Sequence, residues 1–284
     1  MNSKPGFIAA CVQSTATPDI DHDIRILTDF IRAAAARGAR FIATPEYCAG
    51  LDTRGGKMFP VAFVEAEHPV LPAMQGLAKE LGIWLLIGSI GVKAPDGRIF
   101  NRSFMLSPSG AIAARYDKIH LFDIDLGEGR AYHESATIAP GAGAVIAPCA
   151  DGLIGLSICY DIRFAHLYRA YAQGGAEMIA APAAFTRVTG EAHWHVLQRA
   201  RAIENGAYVI SPGQCGTLAG GAECYGHSLI VDPWGRVLAD GGTGPGIITA
   251  EIDLGLVAET RRRIPSLQHD RAFAPACLDT SKAS

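Results

Sequence analysis

The sequence predicts an α/β fold in which sheets carry helices on their outer faces, and three observations predict it. Short apolar runs alternate with stretches of helical period, beginning with Phe7 to Gln13, Asp19 to Arg37 and Arg40 to Thr44. Hairpins stand among these units, as where Pro108-Ser109-Gly110 separates two strand-like runs. The chain has 284 residues, 49% hydrophobic and 19% charged, which suffices for a sizeable core and excludes disorder as the main state. With no low-complexity linker and no internal repeat, it reads as a single domain over 1–284, with a core at about 7–271 and a tail at 272–284.

Each element follows from a local pattern. In Asp19 to Arg37, Ile24, Leu27, Ile31 and Ala34 share one helix face, and Gly38 stops the helix. Arg40 to Thr44 is a buried-type strand ending at Pro45-Glu46. Pro69 to Leu81 fits a second helix, and the apolar strand Trp84 to Ile90 closes at the turn Ala94-Pro95-Asp96-Gly97. Arg102 to Leu106 and Ile112 to Tyr116 form the hairpin. Lys118 to Gly143 shows no period and exceeds an ordinary connection, which marks a functional loop. Leu153 to Ile158 then runs through Cys159-Tyr160-Asp161 into a helix from Phe164 to Gln173. Strands at Met178 to Ala184 and Tyr208 to Pro212 flank a helix from Glu191 to Glu204, whose apolar face is read as Trp194, Leu197, Ala200 and Ile203. Strands at Ser228 to Asp232, Val237 to Ala239 and Gly246 to Ile252 precede a short helix ending at Arg263.

Charge and composition exclude several classes of partner. The 25 Lys+Arg and 28 Asp+Glu give a net charge of -3, and apart from Arg261 to Arg263 the basic residues are scattered, so no nucleic-acid footprint is expected. No apolar run approaches the ~18–20 residues of a membrane helix. The opening MNSKPGFIAACVQS reads as a strand and not as a signal peptide, so a cytoplasmic location is expected. The seven cysteines include no CxxC pair and no histidine at zinc-ligand spacing, so reduced thiols and no metal site are expected.

Cys159 is the sharpest chemical signal. A nucleophile at the carboxyl end of a buried strand, just before a helix, is presented at the open edge of a sheet, and the helix N-terminus favours its thiolate. Cys11 and Cys215 lack that setting and read as structural. A thiol needs a base, and an acyl-transfer site needs a positive group for the oxyanion. Glu46 and Lys118 both follow strands, and the apolar neighbours Ile119, Leu121 and Phe122 make a solvated Lys118 unnatural. Glu134 offers a second carboxylate. Arg163, at the start of the helix after Cys159, is a candidate anion clamp, or else an arginine paired with Asp161; His120 is a candidate substrate contact. His193 and His195 read as supporting residues around a core Trp194, and Tyr225, Gly226 and His227 carry no assigned role.

The motifs TPEYCAG, RYDKIHLFDID with HES downstream, and SICYDIRF together resemble the glutamate, lysine and cysteine signatures of the nitrilase superfamily of carbon–nitrogen hydrolases. The likeness runs from about Phe7 to about Arg271. Within it, AFTRVTGEAHWHVLQRARAIENGAYV, CYGHS and VDPWG resemble the deaminated glutathione amidase branch, with the omega-amidase branch close behind. The resemblance implies a four-layer α-β-β-α sandwich that dimerises by stacking sheets and uses no cofactor. It also implies Cys159 as nucleophile, Glu46 as general base, Lys118 as oxyanion stabiliser and Glu134 as the second carboxylate; acyl-transfer chemistry adds the Tyr160 backbone N–H as a second donor to the oxyanion. The sequence departs from the family pattern at Ala165-His166 and at Leu126-Gly127-Glu128-Gly129. The expected reaction is hydrolysis of a small carboxylate-bearing amide through a thioester. Nitrile or N-carbamoyl substrates, and in another class a metal-dependent phosphoesterase or a silent binding protein, are the alternatives.

Overall fold

The structure is a computed structural model that describes residues 6–54, 57–127 and 131–274. Cys277, most of the tail and the Glu128-Gly129 departure lie outside the described residues.

The first units form where the pattern places them. Strand β1 (Phe7–Gln13) leads to helix α1 (Ile20–Ala36), whose N-cap Asp19 accepts from the His22 N–H at 2.9 Å. Leu27, Ile31 and Ala34 are the buried stripe, and Gly38, at φ 84°, supplies the left-handed turn into β2 (Ala39–Ala43). Helix α2 (Val70–Leu81) is followed by β3 (Trp84–Lys93), β4 (Ile99–Leu106) and β5 (Ile112–Asp117). Further on come β6 (Val145–Cys149), β7 (Gly152–Leu156), helix α3 (Ala165–Gln173) and β8 (Met178–Ala180). Helix α4 (Arg187–Asn205), β9 (Tyr208–Ser211), β10 (Leu229–Val231), β11 (Val237–Asp240), β12 (Gly246–Ile252) and helix α5 (Leu254–Arg263) complete the set.

Two mixed sheets result. The first runs β4-β3-β2-β1-β12, with β5 on β4; β1, β2 and β3 are parallel and the other pairs antiparallel. The second runs β6-β7-β8-β9-β10-β11, parallel only among β7, β8 and β9. Strand alternation then sorts the first sheet's side chains. Ala10, Val12, Ile42, Leu85, Ile87, Phe104 and Leu106 pack with α1 and α2. Ala9, Cys11, Phe41, Ala43, Leu86 and Met105 face the second sheet, whose own cluster takes in α3 and α4 residues such as Tyr168, Tyr171 and Trp194. The layers are therefore α-β-β-α, as expected.

Three departures have physical causes. The hairpin Leu51–Arg54 with Lys57–Pro60 and strand β6 are too short and too polar, or too proline-broken, to stand out as period. Helix α4 begins four residues before its expected start. Its buried face is also rotated from the expected one: Trp194 is buried, but its companions are Gln198, Arg201, Ala202 and Asn205, and Ile203 is 51% exposed. Hydrogen bonds offset part of the burial cost: Gln198 Oε1 accepts from Ser211 Oγ at 2.7 Å, and Arg201 Nε donates to the Ile162 carbonyl at 2.8 Å. Among the described residues, no helix is long and apolar enough to cross a membrane.

Candidate active site

Three strand ends converge at one edge. After β2, Thr44 continues the pairing by donating its N–H to the Leu86 carbonyl at 3.0 Å, and its Oγ1 accepts from the Gly88 N–H at 3.0 Å. A Cβ at Gly88 would stand 1.9 Å from the Thr44 carbonyl, so only glycine lets the turn carrying Glu46 lie this close to β3. Lys118 follows β5, where its N–H donates to the Asn101 carbonyl at 3.0 Å and its carbonyl accepts from the Gly141 N–H at 2.8 Å. Cys159 opens the 3-10 turn Cys159–Arg163, and its N–H donates to the Pro182 carbonyl at 2.8 Å. Among the described residues, Cys159 is one of four non-glycine residues with positive φ, at 48°, and Tyr47 beside Glu46 is another, at 49°. Left-handed backbone at a non-glycine residue is held only where surroundings over-determine it, and it turns the thiol toward the open edge.

The side chains meet as one buried ionic set. Lys118 Nζ donates to Glu46 Oε1 at 2.9 Å and to Glu134 at 3.0 and 2.9 Å, with Lys118 and Glu46 each 2% exposed. Glu46 also accepts from Asn101 Nδ2 at 2.9 Å and, through Oε2, from the Ala184 N–H at 2.7 Å. Glu134 accepts from the Phe122 N–H at 2.6 Å and from the Tyr47 hydroxyl at 3.4 Å. Burial works against charge on Lys118, but Glu134 and Glu46 outweigh it and hold the ammonium well above its ordinary range. At Cys159, burial pushes the thiol up, Glu46 adds to this by its charge and as an acceptor for the S–H, and Lys118 opposes.

These four residues line a cavity of about 280 Å³. Its other walls are largely apolar: Met58, Phe59 and Pro60 from the unanticipated hairpin, Phe122, Tyr132 and Phe185. Tyr160 lines it too, and so does the exposed Lys57. Among the described residues, no carboxylate pairs with Lys57.

Two expected contacts lie elsewhere. Arg163 is not among the described lining residues; its guanidinium stands over the Tyr160 and Phe185 rings at 5.7 and 5.5 Å and meets His193 Nδ1 at 3.3 Å. It does not pair with Asp161 either. Asp161 is fully buried and holds His120 by its backbone N–H at 3.0 Å and by Nδ1 at 2.7 Å, and Tyr116 by its hydroxyl at 2.6 Å. His120, stacked on Phe164 with centroids 3.5 Å apart, is thus a brace between the Lys118 loop and the Cys159 turn. The sequence reading passes over Asn101 and assigns no such role to Asp161, or to Gln214, which it notes only within the QCG motif that resembles the deaminated glutathione amidase branch, and whose amide Nε2 donates to the carbonyls of Glu46 at 3.0 Å and Tyr47 at 2.8 Å. A polar residue within an apolar strand was the available signal for Asn101. Cys11 and Cys215 are buried, Cys11 within the strand packing and Cys215 against Thr15, and neither lines the cavity.

A four-layer sandwich that gathers a thiol, an ammonium and two carboxylates at its open edge defines a class, the hydrolases of carbon–nitrogen bonds. Residues 8–262 match the carbon–nitrogen hydrolase family, and the chain belongs to it. It is 37% identical over 270 residues to a deaminated glutathione amidase of Synechocystis, covering 94% of this chain and 98% of that one. It is 38% identical over 266 residues to human omega-amidase NIT2, covering 94% and 95%. The fold matches the crystal structure of the C. elegans NitFhit protein with a TM-score of 0.85 and 30% identity, over 95% of this chain and 66% of that one.

Proposed function

We propose that this enzyme hydrolyses a small carboxylate-bearing amide to acid and ammonia through a thioester on Cys159, with deaminated glutathione or an omega-amide of a 2-oxo acid as substrate. The convergence of Cys159, Lys118, Glu46 and Glu134 in one cavity carries the reading, and the names of the relatives support the substrate class. In this mechanism Glu46 takes the thiol proton as the sulfur attacks the amide carbon. Lys118 and the Tyr160 N–H hold the oxyanion, and Glu46 returns the proton to the amide nitrogen as the carbon–nitrogen bond breaks and ammonia leaves. Water activated by Glu46 then hydrolyses the thioester, while Glu134 orients Lys118 and the incoming water. Every neighbour of Glu46 named above is a donor, the surroundings of a paired anion, which favours this reading over a phosphoesterase with Glu46 as metal ligand.

Arg163 is not among the described residues that line the cavity, so the substrate carboxylate is assigned to Lys57. That ammonium is not already neutralised by described carboxylates, unlike Lys118. The test is ammonia release across a panel of acidic amides, neutral amides, nitriles and N-carbamoyl amino acids, with mass spectrometry of quenched enzyme. An acyl adduct on Cys159 and preference for acidic amides are expected; preference for another group, or no adduct, overturns the corresponding part.

Self-association belongs to the same proposal. Val188, Val196 and Ile203 stand exposed on α4, with Val196 at 69%, an apolar outer face that suits a second copy of the chain. Light scattering after size-exclusion should give twice the chain mass, and Val196→Glu should halve it; a monomeric parent protein would remove the proposal.

A further inference from the structure

A second group of functional side chains lies away from the cavity. His195 Nε2 is 3.0 Å from Asp240 Oδ2, and His227 Nδ1 is 2.9 Å from Asp240 Oδ1. One donor atom from each of the three residues falls within 4.8 Å of the others. None of the three is among the cavity-lining residues. We propose that His195, His227 and Asp240 form a binding site for one divalent transition-metal ion of the zinc type.

The donor chemistry selects the ion. Two imidazoles and one carboxylate suit zinc and its neighbours, whereas calcium and magnesium demand oxygen sets. Ligands ~2.0–2.2 Å from a tetrahedral ion stand about 3.3 Å apart, so the observed spacing needs only small side-chain adjustment. Asp240 is exposed, which leaves an entry path and a remaining position for water.

The ligands are also held in advance. His227 has a left-handed backbone at φ 49°, fixed by its N–H to the Gly242 carbonyl at 2.6 Å and by its carbonyl accepting from Trp194 Nε1 at 2.7 Å. Its ring stacks on Tyr225 with centroids 4.5 Å apart. The Gly242 N–H donates to Asp240 Oδ1 at 2.9 Å. His195 stands on α4, so an ion here would clamp that helix to the hairpin of β10 and β11. Without an ion, the same contacts are a His–Asp–His hydrogen-bonded brace, and the experiment separates the two.

Calorimetric titration of Zn²⁺ into the full chain carrying Cys159→Ala, freed of metal by chelator, removes the cavity thiol as a competing ligand. One ion per chain is expected. His195→Ala and Asp240→Asn should each weaken binding by at least about ten-fold, since even outer-sphere partners of ligands are worth that much. Co²⁺ should give visible bands of a four-coordinate site that vanish in the same variants. The Tm of metal-free His195→Ala, close to its parent, confirms that the helix surface change leaves the fold intact. Absence of saturable binding, or unchanged affinity in His195→Ala and Asp240→Asn, overturns the site.

Discussion

Replacing Glu46 by Gln removes one charge and almost no volume, which makes its consequences calculable. In the native protein Oε1 accepts from Lys118 and Asn101 at 2.9 Å each, and Oε2 accepts from the Ala184 N–H at 2.7 Å. A glutamine offers one acceptor oxygen and one donor group. The better orientation keeps the oxygen on Lys118 and Asn101 and sets NH₂ against the Ala184 N–H, which loses its acceptor at a cost of ~1–3 kcal/mol. Lys118 retains both oxygens of Glu134, so the ~3–5 kcal/mol of a buried charge left wholly bare is an upper bound. At roughly 2–4 °C per kcal/mol, Tm should fall by about 2–12 °C and the protein should stay folded. Turnover should fall by ~10²–10⁴-fold, the range for a lost general base. The thiol supplies an independent check of sign. Glu46 is one of the groups that push Cys159 up, so its neutralisation should let the thiolate form at lower pH. Iodoacetamide labelling of Cys159 followed against pH should therefore shift to lower pH while turnover collapses. Thioester formation at the parent rate, or a labelling profile displaced upward, would refute the placement of Glu46 as the base acting on this sulfur.

Cys159→Ala should abolish turnover with little change in Tm, and Cys215→Ala should remain active; like behaviour of the two in a steady-state assay contradicts the assignment of the nucleophile. Lys57→Met should raise KM for an acidic amide by roughly ten-fold or more and leave a neutral amide nearly unchanged, because losing a charge-assisted contact costs ~1.5–3 kcal/mol. Arg163→Ala, by contrast, should depress kcat/KM for both amides alike, since its guanidinium supports the wall rings Tyr160 and Phe185. Burial pulls the His68 pKa from 6.5 down to about 4, so the unfolded state binds the extra proton between those values. Stability contributed by neutral His68 is present above about pH 6.5 and is lost as pH falls toward about 4; melting curves across that range should show it, and His68→Leu should flatten the slope.

The placement of Glu46, Lys118 and Cys159 was legible because each follows a strand, and strand ends open onto loops. Glu46, Lys118 and Cys159 could be placed at one edge before any contact was known. The boundaries of β1 and β12 were legible too, since a continuous apolar run bounded by turn residues leaves little choice. What escaped were residues whose role depends on distant partners. Gln214 has no assignable role until the turn carrying Glu46 and Tyr47 is folded against it. Arg163 lies four positions beyond Cys159 in the chain, but its guanidinium stands over the Tyr160 and Phe185 rings and does not line the cavity. His195, His227 and Asp240 have no ligand spacing along the chain, because a helix and a hairpin bring them together. The face of α4 escapes for the opposite reason: periodicity counts apolar residues, while Gln198, Arg201 and Asn205 are buried with hydrogen bonds to Ser211, the Ile162 carbonyl and the Arg201 carbonyl respectively.

The proposed mechanism also explains why one ammonium is held by two carboxylates. Glu46, Glu134 and Lys118 together carry one net negative charge beside the thiol, and that charge helps keep the proton on sulfur while the cavity awaits substrate. Transfer of the proton to Glu46 changes the balance. Glu46 becomes neutral, and Lys118 is left opposed by Glu134 alone as negative charge moves from sulfur to the carbonyl oxygen. The cation is thus least neutralised at the moment when an oxyanion forms beside it, the condition for stabilising the transition state more than the ground state. A single carboxylate could not do this: it would either leave Lys118 without a partner after the transfer, a bare charge in a buried site, or leave the thiol without a base. Glu134 is therefore required even though it need never exchange a proton with sulfur. Glu134→Gln should accordingly retain some acylation yet fail in turnover, which rapid-quench mass spectrometry would show as an adduct that forms and persists. Loss of the adduct altogether would mean that Glu134 acts before the thioester and not after it.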